Sequence, residues 1–433
     1  MASKKSLYSK IIKLFSTSLL GFISGHYYLN KEQLQKIRLQ IGKNSKEHIR
    51  LYESKFSNLV GKGDAVSFAS GRMGFYALMK VMNIGPGDEV ILCGYTCSVM
   101  PNAVLRTGAK PVYSDIDSST YGSSASSIKK CMSSKTKLVV AQHSFGIPCE
   151  IDQIYQVCQL HNILLVEDCA LTLGSTLNNK KVGTFGNAAI FSTDHSKPIN
   201  TIIGGFIYSE DSTIIEKLRI VQNYSDDLPI KKQKAIWDQF IIERLFAKPY
   251  KYGVLQVVNS ITNLIRKKIG RVSPFLDEDD GPGDMQKTYP YPAKLPAFVA
   301  FIGLYELDRW KLTSAERCKS LQYYISALEK SSVKNYIPKA YYDIDRTIIP
   351  LRFVFSHPNS GYIRSKLNNL INVDEILFMI PIVNCNAPLE RYYFEKRACP
   401  NSEEVGSNMV NFPLASPHKM DKIISKVTKV AQS

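Results

Sequence analysis

At 433 residues the chain is long enough for two or three domains around a large buried core, and its 44% apolar and 21% charged residues exclude a predominantly disordered polypeptide. The formal charge of +17 points to an anionic partner, whether a phosphorylated metabolite, a membrane surface or nucleic acid. Nucleic acid is set aside, because neither an RNP-like aromatic motif nor a zinc-finger spacing is present.

The first 28 residues have no acidic side chain and carry Lys4, Lys5, Lys10 and Lys13 around "LFSTSLLGFISG". That run is too short and interrupted to span a bilayer, which takes ~20 apolar residues. A cleaved signal peptide and a transit peptide are open readings, and a retained amphipathic helix on the domain surface or membrane interface is preferred.

From about Val66 to Glu210, short apolar runs alternate with helical patterns. The predicted strands are "EVILCGY", "PVYSDI", "KLVVAQHS", "ILLVED", "AAIFST" and "GFIYSE". Between them lie segments such as "SSASSIKKCMSS" and "DQIYQVCQLHN". Near-continuous apolar strands joined by helices predict an α/β fold: a mostly parallel sheet with helices on both faces, three layers in all. Ligands of such sheets collect at the carboxyl ends of the strands. Nine scattered cysteines, odd in number and without a C-x-x-C pair, argue for reduced thiols in a cytoplasmic protein and against a disulfide framework or metal site.

Residues 237–270 place Val254, Leu255, Val257, Val258, Ile261, Leu264 and Ile265 on one helical face, ending in Arg266, Lys267 and Lys268. A core or dimer-interface helix is the expectation, and a membrane-surface helix the alternative. A Pro/Gly-rich acidic loop follows from Pro274 to Pro296, and "AFVAFIGLYELDRW" then opens a helix leading into a smaller α+β portion. The expected division is a basic amphipathic arm (1–50), a large cofactor-binding domain (51–235), a basic insert with the acidic loop (236–285) and a small C-terminal domain (286–433).

Three features converge on chemistry. Lys197, in "STDHSKPINTIIGG", sits where a strand empties into a turn. Asp168 closes the otherwise apolar strand run of "ILLVED", where a carboxylate is costly unless a cation such as a protonated pyridine nitrogen meets it. Ser70 and Gly71 lead into a helix whose N-terminal N–H groups suit a phosphate, although an ordinary helix cap reads the same; Ser192 could bond that phosphate too. Amine, strand-end acid and phosphate cradle are the groups that pyridoxal phosphate requires.

The blocks "SGRMGFYALMKVMNIGPGDEVILCGYTC", "HSFGIP", "VEDCALTLGS" and "KKVGTFGNAAIFSTDHSKP", with the Gly pair beyond, resemble the DegT-type sugar aminotransferases, a branch of the fold-type-I pyridoxal-phosphate enzymes. The likeness covers roughly residues 60–215 and returns faintly in "ACPNSEEVGSNMVNFPLASP". It implies Lys197 as the Schiff-base lysine and proton shuttle, Asp168 as partner of the pyridine nitrogen, and Gly71, Arg72 and Ser192 at phosphate-binding positions. It also implies a homodimer that transfers an amino group, by family habit from glutamate, to a nucleotide-linked keto-sugar. Arg72 stands where the family usually has Thr or Ser, Cys97 where an aromatic ring stacks on the cofactor, and Leu171 where Gln or His nears the ring hydroxyl; the lysine-to-glycine-pair spacing is one residue short. His195 reads as a turn histidine or a proton relay, and His143 as structural or substrate-contacting. Tyr95 and Asn102 either wall the pocket or pack beside it. Two further readings stay open: a substrate held at the inner membrane face on a lipid, and a non-catalytic relative used as a binding module.

Overall fold

The computed structural model describes residues 20–43, 45–248, 251–268, 270, 272–276, 289–373, 378–383, 385, 387–415 and 417–431. The expected helix within residues 1–19 and most of the acidic loop, 277–288, lie outside them.

Two helices, α1 (Lys31–Arg38) and α2 (Lys46–Val60), precede the sheet. Its strands and helices are β1 (Asp64–Phe68), α3 (Gly71–Val81), β2 (Glu89–Cys93), α4 (Val99–Thr107), β3 (Lys110–Ser114), α5 (Ala125–Cys131), β4 (Thr136–Gln142), α6 (Ile151–Leu160), β5 (Leu164–Asp168), β6 (Ala188–Ser192) and β7 (Gly205–Ser209). They pair in the order β1-β7-β6-β5-β4-β2-β3. The five strands from β6 to β3 run parallel. β7 runs antiparallel to both β6 and β1. The reason is local: residues 193–204, which join β6 to β7, form turns and no helix, so the chain folds back on itself at the carboxyl edge with Gly205 opposite Ser192. β1, "DAVSF", was not among the predicted strands.

Alternate residues of each central strand enter different cores, as a pleated strand buried on two sides requires. Val90, Leu92, Leu138, Val140 and Val166 join Phe56, Phe68, Phe75 and Phe206 in the large core. Ile91, Val139, Ala141 and Leu165 face Ile128, Ile154 and Cys158 of α5 and α6.

Beyond β7 come α7 (Ser212–Tyr224), α8 (Ile230–Phe246), α9 (Tyr252–Lys268) and α10 (Ala297–Leu328). At 32 residues, α10 runs about 48 Å. Phe298 and Ile302 of α10 sit in the large core, whereas Leu321, Tyr324 and Leu328 belong to a second one. That second core is completed by β8 (Phe353–Ser356), α11 (Ser360–Leu367), α12 (Pro400–Ser407), β9 (Met409–Phe412), which pairs antiparallel with β8, and α13 (Pro417–Ala431). Tyr95, Phe145 and Leu171 enter it from the carboxyl edge of the sheet, so the two cores meet there.

Of the two expectations for α9, a core helix or a dimer-interface helix, its exposure departs from the first alone. Leu255 is buried against Ala247 and Tyr252, but Ile261, Leu264 and Ile265 are 50%, 65% and 50% exposed.

Candidate active site

At the carboxyl edge of the sheet, the loop after β6 is held in shape by its own hydrogen bonds. The Lys197 N–H donates to the Asp194 carbonyl at 3.0 Å, and the Thr201 N–H donates to the Thr193 carbonyl at 2.8 Å. The Gly204–Gly205 pair that closes the loop is required by space and backbone. Gly204 lies at φ +126°, and a Cβ on Gly205 would come within 2.4 Å of the Gly71 nitrogen. Glycine at 205 therefore lets the first turn of α3 sit against β7 beside the lysine loop. The short lysine-to-glycine spacing is accommodated, with Gly205 in register opposite Ser192.

A cavity of about 430 Å³ opens there, and all six predicted site residues line it: Gly71, Arg72, Cys97, Asp168, Ser192 and Lys197. They arrive from several element ends. Gly71 and Arg72 begin α3, whose first turn is capped by the Ser70 hydroxyl accepting from the Met73 N–H at 3.3 Å. Cys97 is positioned by a two-residue parallel pairing of Thr96–Cys97 with Ile382–Val383. Asp168 ends β5 and Ser192 ends β6.

Asp168 is 5% exposed, and its Oδ1 accepts the Ala170 N–H at 2.9 Å. Burial pushes its carboxyl above the usual range, against the pull of the Ala170 N–H, Lys197 and His143.

The flanking residues divide. Leu171 and His195 line the cavity. His195 Nδ1 donates to buried Glu243 Oε1 at 3.2 Å, and its ring packs on Phe275. His143, Tyr95 and Asn102 are buried and absent from the cavity wall. His143 Nε2 donates to Glu167 Oε2 at 3.2 Å while its Nδ1 accepts the Cys149 N–H. Glu167 in turn accepts N–H groups from Gly183, Phe185 and Gly186. His143, Glu167 and Cys169 are close enough together to suit a metal ion, but His143 and Glu167 are already bonded to each other and accept the N–H groups of the surrounding backbone. The Tyr95 hydroxyl donates to the Phe378 carbonyl at 2.6 Å.

Several contributors were missed in the sequence because their signals are long-range. Phe22 and Ile23 line the cavity from the N-terminal segment. That segment is pinned to the lysine loop: His26 Nε2 donates to the Asn200 carbonyl at 2.7 Å, and Asn200 Nδ2 to the Ser24 carbonyl at 2.9 Å. Arg352 reaches the cavity from the second core, its guanidinium 3.9 Å from the Phe22 ring centroid and bonded to Asn411 Oδ1 at 3.0 Å. Leu276 closes another side, its carbonyl accepting from the Arg72 guanidinium. The basic side chain at 72 thus ties α3 to residues 272–276.

A second cavity, of about 860 Å³, shares Phe22, Ile23, Ser196 and Lys197 with the first. Among the described residues its wall combines Lys248, Arg317, Lys319 and Lys419 with a single acid, Glu316.

Residues 30–251 match the model of the DegT/DnrJ/EryC1/StrS aminotransferase family, just over half the chain. GDP-perosamine synthase from Vibrio cholerae is 32% identical over 41% of this chain and 48% of its own length. UDP-N-acetyl-3-dehydro-alpha-D-glucosamine 3-aminotransferase from Acidithiobacillus ferrooxidans is 32% identical over 40% and 48%. The chain thus spans about half the length of these curated relatives. The X-ray structure of S. venezuelae DesV superposes with a TM-score of 0.70 at 18% identity, covering 93% of this chain and 95% of that one, which establishes a shared fold.

Proposed function

The chain belongs to the DegT/DnrJ/EryC1/StrS aminotransferase family, and from that premise we propose that it is a pyridoxal-phosphate-dependent aminotransferase. It moves an amino group from an amino acid, glutamate in the first instance, to a keto-sugar on a nucleoside diphosphate. The observation that carries this reading is the meeting of Lys197, the buried acid Asp168 and the N-terminus of α3 on one cavity. The names of the two relatives, one a GDP-sugar synthase and the other a UDP-sugar aminotransferase, support the substrate class.

The residues fit the cofactor. A buried carboxylate without a full counter-charge suits a protonated ring nitrogen, and the N-terminus of α3, with Gly71 and Arg72 on the cavity wall, suits a phosphate. When bound, pyridoxal phosphate supplies an aldehyde that condenses with amines and a cationic ring that withdraws electrons from the amine's Cα.

This chain's own groups do the rest. Asp168 holds the proton on the ring nitrogen. The N–H groups of Gly71 and Arg72, with the Ser192 hydroxyl, grip the phosphate. Cys97 would cover the ring from its place on the cavity wall, and the Lys197 amine would carry a proton to and from the donor's Cα. Arg352 presents a guanidinium suited to the donor's carboxylate. The larger cavity takes the acceptor, with Arg317, Lys319, Lys248 and Lys419 toward the phosphates of its carrier. The working form is a homodimer.

The test is borohydride reduction of the purified, cofactor-loaded protein followed by peptide mass spectrometry. The reading expects the reduced cofactor on the peptide containing Lys197, and its loss when glutamate is added before reduction. Label on another lysine, or none, overturns it. A panel of nucleoside-diphosphate keto-sugars then identifies the acceptor.

A further inference from the structure

The geometry points to a second role for α9: we propose that it seats the protein on an anionic lipid surface. This inference goes beyond the catalytic reading and is tested independently of it. Ile261, Leu264, Ile265 and Lys268 recur at the spacing of one helical stripe, and all four are exposed. Three large aliphatic side chains presented together on one stripe form the kind of contiguous apolar surface that marks an interaction site.

Charge identifies what covers them. From Lys251 to Leu276 the sequence contains five basic residues and no acidic one: Lys251, Arg266, Lys267, Lys268 and Arg271. Residues 1–19 add Lys4, Lys5, Lys10 and Lys13, again without an acid, and lead directly to Leu20 on the wall of the larger cavity. A second copy laid on α9 would bring an equally basic stretch against this one, whereas a surface of anionic headgroups over acyl chains matches both the charge and the aliphatic stripe.

No helix among the described residues is long and apolar enough to cross a membrane. A 17-residue helix with a polar opposite side lies in the interface plane. Its inner end is anchored rather than free: Leu255 packs with Tyr252 and Ala247, and the Gln239 amide of α8 donates to Asn259 Oδ1 at 3.2 Å. Tyr252 also lines the larger cavity, so the acceptor cavity and the exposed stripe lie at the two ends of one helix, about 20 Å apart.

The full-length protein is sedimented with vesicles of phosphatidylcholine containing phosphatidylglycerol, and with phosphatidylcholine alone, at low and high salt. The expected result is pelleting with the anionic vesicles only, reversed by salt. Arg266→Gln with Lys268→Gln removes two attractive charges at roughly fivefold each, so partitioning falls on the order of 25-fold. Ile261→Glu with Leu264→Glu abolishes it. All these positions are at the surface, so far-UV circular dichroism and the cofactor absorbance stay at wild type in both variants, which separates loss of docking from loss of fold or catalysis. Indifference of the wild-type protein to anionic vesicles, or unchanged binding by both variants, overturns the proposal. So does a wild-type dimer that Ile261→Glu with Leu264→Glu splits into monomers in the absence of lipid, which would assign the stripe to a second copy.

Discussion

Asp168→Asn separates the cost of burying an acid from its use. The substitution keeps shape and leaves an oxygen to accept the Ala170 N–H, now at 2.9 Å, while removing the charge. In the folded protein burial holds the Asp168 carboxyl above the usual range. The folded state therefore binds a proton that the unfolded chain has released, and this group's contribution to stability falls as pH rises from the ordinary carboxylate range through the raised value. Asn abolishes that loss, so the variant apoprotein should be at least as stable as wild type at neutral pH, with a flatter pH dependence of the melting temperature. The cofactor-loaded protein should respond in the opposite sense. A hydrogen bond from a protonated ring nitrogen to a buried carboxylate contributes about 1.5–3 kcal/mol. Its loss weakens cofactor affinity roughly ten- to hundredfold. The assay is titration of apoprotein with pyridoxal phosphate, followed by absorbance, alongside melting curves with and without it. An Asn variant that binds the cofactor as tightly as wild type while its apoprotein is destabilised would refute the reasoning, because Asp168 would then be a purely structural acid.

Two further outcomes follow from packing and protonation. Gly205→Ala places a methyl group 2.4 Å from the Gly71 nitrogen and 2.6 Å from the Phe191 carbonyl, both backbone atoms, so the first turn of α3 must shift. A loss of about 1–3 kcal/mol or more, with impaired cofactor binding, is expected in urea unfolding, and wild-type stability would contradict the close approach. Thiols that ionise near 9.0 in an unfolded chain are pushed up to about 12 by burial at Cys93 and Cys158. The unfolded state therefore loses these protons first, and folding free energy falls between pH 9.0 and about 12 by about 1.4 kcal/mol per pH unit for each thiol. Cys93→Ala should flatten the slope measured under reducing conditions, and an unchanged slope would count against the burial argument.

What the sequence determined by itself was local. Apolar runs such as "ILLVED" and "AAIFS" mark strands buried on two sides, because a strand covered by helices on both faces has no polar side to display. Polar residues at the ends of those runs, Asp168 and Ser192, and the amine just past them, Lys197, mark a carboxyl edge carrying chemistry, and the structure brings all of them to one cavity. Tertiary structure decided the rest, because burial patterns record that a face is covered and not by what. The antiparallel course of β7 depends on the short return through residues 193–204. Arg352 and the Leu20–Tyr27 segment reach the site only through pairings such as His26 with Asn200, 174 positions apart, which no local pattern encodes. The apolar stripe of α9 is the converse case: its spacing is that of a core helix, yet Ile261, Leu264 and Ile265 remain in solvent, since periodicity fixes which side chains share a face while the neighbouring elements determine whether anything packs on it.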